Sequence, residues 1–492
     1  MKNKLLYILS LTLILFSCKK YLDINDTPNN PLVVPPSTIL PVTTVGMAFA
    51  ASNELGRLTS VVMQYNTGLN NQVAQEDIYN LDNLLDNQWS NEIYGTTVQN
   101  LRILVDQYES SSPAYSGIAK LQLAYVFSIA TDLWGDVPYS EAGYGLRFTS
   151  PRFEEQEDIY MGNKDLGIVG LFDLVKNGLA DLDKPTLFKP GLNSGDIVYA
   201  KTAADTAGSG NIIKWKRMGN TLLLKFALQI SNRNPAYAKS TIESVLATNL
   251  YINANNLDFE VPFGTSTGNQ NPLYSFNNIN RTGDLILSSR FLSLMRSQND
   301  TMRLAKYYTK PTGNFVAFEN GSVGTAPAAA SRSRYNTYLT GSTGEAPVRL
   351  LTNAQVQFIL AEAALILGTS GDPNAYYQVG IRASMQKVGM TEPEISDYFT
   401  TNPGIVTLSG TAEDKRKQII TQKYVAQVGN AIESYNDFRR TGYPQLTLPL
   451  NTTGDVPGVF PQRLPYTPNE LARNPNTPNP RPKTDVKVWW AK

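Results

Sequence analysis

One cysteine in 492 residues rules out an internal disulfide, so whatever this chain folds into must be held by its own core. The position of that cysteine narrows matters further. Lys2 and Lys4 give a positive start, Leu5–Phe16 form a twelve-residue apolar run, and Cys18 follows after one serine. A helix that spans a bilayer needs about 20 apolar residues, so the run reads as the apolar region of a secretory signal. Elsewhere no uninterrupted apolar stretch of spanning length occurs; Val356–Leu367 comes nearest and contains Glu362.

The sequence Leu15-Phe16-Ser17-Cys18 places a small residue before the cysteine, and no A-x-A cleavage site stands nearby. It resembles the lipobox of bacterial lipoproteins, in which the thiol receives a diacylglyceryl group and the new N-terminus a further acyl chain. Several chains anchor stably where one is marginal. The resemblance implies a signal peptide over residues 1–17, lipidation at Cys18, and anchoring to a membrane. Residues 18–37 are rich in Asn, Asp and Pro and read as an extended tether, leaving a globular body over 38–492.

Charge and composition exclude several functions. Without the two leader lysines the formal charge falls from +1 to −1, which gives no electrostatic basis for binding nucleic acid. The chain has no histidine, which removes Ser-His-Asp and Cys-His catalysis and most zinc sites. No cofactor or metal site is expected. Carboxylate-only glycosidase chemistry survives this exclusion, with Glu76, Asp77, Glu154 and Glu155 as available acids. Their spacing demonstrates no catalytic pair, and the chain is read as a binding protein, not an enzyme.

Helical periodicity dominates the body. Ile118–Leu133 carries Leu121, Tyr125, Ile129 and Leu133 at four-residue spacing and stops at Gly135 and Pro138. Ile213–Ser231 repeats the pattern, breaks at Asn232–Pro235 and resumes to about Leu246, which predicts a helical hairpin. Thr352 is placed to cap a helix through Leu367, Asp372-Pro373 to start the next, and Ala412–Arg440 reads as one long helix. Between these lie Gly-, Asn-, Thr- and Pro-rich stretches at about 193–210, 262–283, 310–347 and 446–482, longer than connections need to be. The expected class is mainly α. A clean 34-residue helical repeat is not traceable.

Several phrases, in order, span nearly the whole chain: Cys18-Lys19-Lys20-Tyr21-Leu22-Asp23-Ile24-Asn25, Asp132-Leu133-Trp134-Gly135-Asp136-Val137-Pro138-Tyr139, and Ile213-Lys214-Trp215-Lys216-Arg217-Met218-Gly219-Asn220. Gln357-Phe358-Ile359-Leu360-Ala361-Glu362-Ala363, Asn436-Asp437-Phe438-Arg439-Arg440-Thr441-Gly442-Tyr443-Pro444 and Pro461-Gln462-Arg463-Leu464-Pro465-Tyr466 complete the set. Together they resemble the SusD/RagB family of nutrient-binding outer-membrane lipoproteins, in its SusD-like branch. One departure is Asp300-Thr301-Met302-Arg303, where that family often has Asp-Pro-Arg. The resemblance implies stacked helical hairpins of tetratricopeptide type with a loop-rich subdomain. It also implies attachment to the outer membrane, facing outward, and docking on a SusC-like TonB-dependent transporter that receives the nutrient.

Physically, most of these phrases read as structure. Trp134-Gly135 ends a helix, and Arg439 and Arg440 follow Asp437 at another helix end, where cations suit the carbonyl-rich terminus. For binding, a neutral oligosaccharide requires rings against its C–H faces and planar polar groups for its hydroxyls. Two stretches combine these: Tyr65–Trp89, with Tyr65, Asn70, Asn71, Gln72, Tyr79 and Trp89, and Asn269–Asp284, with Asn271, Tyr274, Asn277 and Arg281. From these, Tyr65, Gln72, Tyr79, Trp89, Asn271, Tyr274 and Arg281 are the candidate ligand contacts. Trp89 also falls in a helical pattern with Tyr94 that suits a core. Peptide cargo fits the same tyrosine-rich loops, and a purely scaffolding helical protein is the reading from a different class.

Overall fold

The structure, a computed structural model, describes residues 34–491. Helices carry the architecture. The first are α1 (Pro36–Ser52) and α2 (Glu54–Val62), followed by strand β1 (Asn66–Gly68), α3 (Asn71–Asp77) and a π-helix over Gln88–Val98. Next come α4 (Gln99–Tyr108), α5 (Pro113–Trp134), the short strands β2 (Val137–Pro138) and β3 (Phe153–Glu154), and α6 (Leu171–Asp181). The hairpin α7 (Gly210–Gln229) and α8 (Pro235–Thr248) leads to β4 (Phe259–Val261) and β5 (Leu285–Leu287). After α9 (Ser289–Ser297), α10 (Thr301–Tyr307) and β6 (Val348–Leu351) come α11 (Asn353–Ile366), α12 (Pro373–Lys387), α13 (Ala412–Ala426) and α14 (Ala431–Thr441), and a mostly irregular segment follows. The strands pair only two by two, all antiparallel: β1 with β5, β2 with β3, and β4 with β6.

Helices pack in a continuous series. α4 and α6 lie on α5, α7 lies on α6, and α11 lies on α7, against its own hairpin partner α12 and against α13. Local sequence explains the boundaries. Thr352 accepts a hydrogen bond from Gln355 N at the start of α11, and Asp372 accepts from Asn374 N and Ala375 N before Pro373 opens α12. Asn234 and Pro235 begin α8 in the same way.

α5 is buried along its whole length, so its polar residues must find partners inside the body. Lys120 Nζ pairs with Asp181 of α6 at 2.6 Å, and Gln122 Nε2 donates to Thr44 of α1 at 2.8 Å. Asp132 accepts from Tyr160 Oη, Asn436 Nδ2 and Trp490 Nε1, and so ties α5 to the C-terminal residues. Gly135, at φ +81°, ends the helix, and Trp134 Nε1 donates to Pro465 O at 2.9 Å. The two arginines of the Asn436–Pro444 phrase are interior ties. Arg440 grips Glu362 with two bonds of 2.6 and 2.7 Å, and Arg439 donates to Asp132 O at 2.6 Å.

Three boundaries differ from expectation. The Ala412–Arg440 pattern is two helices, because Gly429 at φ +96° turns the chain before Ala431. α1 already begins at Pro36, inside the span read as tether, since Pro at the first helical positions costs no hydrogen bond. The 193–210 stretch is not all loop: Thr202 and Asp205 form a capping box on a short helix, Ala203–Thr206. At the Asp300 departure, Asp300 caps α10 through Arg303 N, while Arg303 is wholly buried and reaches Ser384 and Gln422.

Candidate ligand-binding face

The β1–β5 pair joins the two stretches that the sequence singled out. Asn66 lies opposite Leu287 and Gly68 opposite Leu285, which sets residues 69–72 beside residues 281–284. The chain turns tightly after β1. A Cβ on Gly68 would sit 1.9 Å from Val73 O, so no other residue fits there. Leu69 N then donates to Asp284 O at 2.8 Å, Asn70 Nδ2 to Gly283 O at 3.0 Å, and Asn71 Nδ2 to Asp284 Oδ2 at 2.9 Å.

Across this seam the second stretch runs as Pro272–Tyr274 and then a short π-helix, Ser275–Asn280. Gln270 Nε2 and Asn271 N tie it to Thr343 O and Gly344 O. Tyr274 and Phe276 are half-buried, Arg281 is exposed, and Ile279 is 58% exposed. Neither the Tyr274 hydroxyl nor the Arg281 guanidinium takes a partner among the described residues. Phe276 lies over Arg57, whose guanidinium carbon is 3.9 Å from the ring centre. Half-exposed rings, exposed Asn70 and Asn71 whose amide nitrogens are tied across the seam, and one open guanidinium make a surface suited to hydroxyl-bearing ligands.

Four of the sequence candidates do not reach this surface. Tyr65 is completely buried: its ring stacks on Tyr424 at 4.3 Å, and its hydroxyl bonds Ser434 Oγ and Tyr424 O at 2.6 Å. Tyr79 packs inside against Phe460. Trp89 is interior as well, edge-on to Trp134 with its Nε1 on Glu470 at 3.0 Å. Asn271 is buried as the cap of the Pro272 turn, and Nδ2 donates to Ala346 O at 2.8 Å. Large rings gain more by leaving water than by waiting at a loop surface. Gln72, Tyr274 and Arg281 remain accessible. Phe276 and Arg57, which sequence reasoning missed, carried no signal beyond an aromatic within the right stretch.

Behind the seam lies an acid-rich cluster. Gln72 Nε2 donates to Glu54 Oε1 and, at 3.2 Å, to Glu76 Oε1. Asn53 Nδ2 donates to Glu92 Oε1 at 2.7 Å. Arg57 is the cation facing all three carboxyls. Burial pushes Glu54 and Glu76 up to about 7, against the opposing pull of Arg57, and raises Glu92 too. Asp77, pushed up by burial to about 6, accepts from Asn320 Nδ2 and Gly321 N. Glu154 is interior, bonded to Ser140 and Arg152. The acids considered for glycosidase chemistry therefore serve the interior, except for the exposed Glu155. Among the described residues no group of three His, Cys, Asp or Glu is placed to hold a metal ion. Cys18 lies outside the described residues.

The body is mainly helical, with aromatic and amide groups carried on its loops. Residues 28–467 match the SusD-like family described as starch-binding and associating with the outer membrane, and the chain belongs to that family. Its members are binding proteins, not enzymes. Solved structures agree in fold. A chitin-binding protein superposes with a TM-score of 0.74 at 23% identity, covering 93% of this chain and 100% of that one. A chitin-binding SusD homolog from Flavobacterium johnsoniae gives 0.74 at 20%, covering 93% and 97%. A SusD homolog from Bacteroides uniformis gives 0.72 at 24%, covering 93% and 98%. No curated protein matches the sequence. Among the described residues no helix is long and apolar enough to cross a membrane.

Proposed function

We propose that this chain captures an oligosaccharide at the cell surface and hands it to a SusC-like TonB-dependent transporter. The ligand meets the β1–β5 seam: Tyr274 and Phe276 supply rings, and Gln72, Asn70, Asn71 and Arg281 supply hydrogen bonds to hydroxyls. The observation that carries this reading is the pairing of Asn66–Gly68 with Leu285–Leu287, which brings residues 69–72 beside residues 281–284 from stretches some 200 residues apart. The family's description and the two chitin-binding neighbours support carbohydrate as the ligand class. Anchoring is assigned to acyl chains on Cys18, with the body on the outer face of the outer membrane.

Stacking and a few hydroxyl bonds on a wet surface give modest affinity, on the order of micromolar to millimolar. Weak capture suits a protein that must release its cargo. A screen of the unlipidated body against glycan and peptide arrays tests the reading. Retention of α-glucans or of N-acetylglucosamine oligomers is expected, and retention of peptides alone would overturn it. Metabolic labelling with palmitate tests the anchor: the parent chain takes the label, and Cys18→Ala does not.

A further inference from the structure

The described chain begins beside an unfilled apolar crater. A cavity of about 610 Å³ opens next to the start of α1, lined mainly by Pro35, Pro36, Tyr108, Tyr115, Leu187 and Phe188, with Ser37, Lys189 and Ser194 as its polar part. The tyrosines are buried and have committed their hydroxyls to backbone, Tyr108 to Val34 O and Tyr115 to Ser194 O, both at 2.7 Å. Their rings are left to line the cavity. At the mouth, Leu187 is 72% exposed and Phe188 52%.

This is not a frayed loop tip. Leu187 N donates to Ser111 O at 2.9 Å, Phe188 N to Ser112 Oγ at 3.3 Å, and Thr186 Oγ1 to Phe188 O at 2.7 Å. The backbone is pinned in a form that shows two large apolar side chains to the outside, although a hollow that such side chains fit lies beside them. Lys184 and Lys189 flank them, both exposed. Leucine and phenylalanine with neighbouring lysines are the composition of a surface that enters the lipid interface, the lysine stems lying along it and the charges staying in water.

Chain length says what covers the patch. Residues 18–33 number sixteen, and at 3.3–3.6 Å each they reach at most about 58 Å. An acyl chain on Cys18 therefore keeps this end of the body within that distance of the bilayer, because Val34 leaves the body at the crater. Tethering turns a weak surface contact into an intramolecular one at roughly millimolar effective concentration. A patch too small to draw a protein from solution is then large enough to seat one already attached.

We infer that Leu187, Phe188 and the crater rim rest in the lipid interface and fix which side of the body faces the membrane. The inference rests on lipidation at Cys18. It is tested on the mature lipidated protein in vesicles of phosphatidylcholine with a minority of phosphatidylglycerol. Since lipid caps the Cys18 thiol, a nitroxide can be attached uniquely in the Phe188→Cys variant, and in Val323→Cys as a control at a site 91% exposed. Thermal melts matching the parent establish that both variants fold. Expected is a label at 188 that collides severalfold more with dissolved oxygen than with a water-soluble nickel chelate, relative to the label at 323. Equal behaviour at both positions in vesicle-bound protein overturns the inference. So does shielding at 188 that appears only when a transporter is added, which would give the patch to that partner. Protein that stays in the supernatant overturns the lipidation reading instead, and the inference with it.

Discussion

Glu76→Gln should make the protein more stable in alkaline solution while changing little near pH 5. Glu76 is completely buried, its Oε2 has no hydrogen-bond partner, and its Oε1 shares Gln72 with Glu54. Burial pushes its carboxyl from 4.5 up to about 7. The sign follows from linkage: the folded state holds this proton more tightly than the unfolded chain. The stability it contributes is full below about pH 4.5 and is lost as pH rises through 7. At about 1.4 kcal/mol for each tenfold in proton affinity, the span from 4.5 to 7 is worth about 3 kcal/mol. Gln keeps the shape and cannot ionise, so it escapes that loss. Glu54 acts in the same direction, because a neutral neighbour eases its own ionisation. Urea unfolding of parent and variant at pH 5, 7 and 9 measures the difference. The variant should gain about 3 kcal/mol on the parent between pH 5 and pH 9. A constant offset superimposed on that pH-dependent gain would report only how the new amide is oriented. A difference independent of pH, or one that moves against the variant, refutes the assignment of a retained proton.

Other substitutions separate the interior from the face. Tyr65→Ala and Tyr79→Ala should each cost about 3–5 kcal/mol of stability in urea titration, as buried rings do; stability unchanged within 1 kcal/mol would return them to the surface. Glu362→Ala leaves the guanidinium of Arg440, wholly buried, without its two-bond partner. A loss of about 3–5 kcal/mol is expected by circular dichroism melts, and a neutral result would show that Arg440 can be rehydrated.

How much of this was legible in the sequence depended on range. Helix starts came through because Thr352, Asp372-Pro373 and Asn234-Pro235 act within one turn of themselves, and Gly135 stops α5 locally. The mainly helical class followed from the same short-range patterns. Gly429 was overlooked because a single glycine within a periodic run does not show from sequence whether it takes a left-handed conformation. The face was half legible. Both stretches were picked for composition, and their meeting required a strand pairing between Asn66–Gly68 and Leu285–Leu287 that three-residue strands do not announce. Within each stretch, composition cannot tell a ring that stacks on Tyr424 from one that stays half-exposed like Tyr274. That choice is made by residues hundreds of positions away. The acid cluster was equally hidden, since Glu54, Glu76 and Glu92 lie on three separate elements.

The central claim is that a neutral oligosaccharide binds at the β1–β5 seam and leaves unchanged. Calorimetric titration of α-glucan and N-acetylglucosamine oligomers into the parent, Tyr274→Ala and Arg281→Ala, with chromatography of the ligand afterwards, tests it most directly. The expected result is micromolar to millimolar binding to the parent, a loss of about 1–3 kcal/mol in each variant at unchanged melting temperature, and intact ligand. Full-strength binding by both variants would place the site elsewhere on the body, and shortened oligosaccharides in the recovered ligand would contradict binding without turnover.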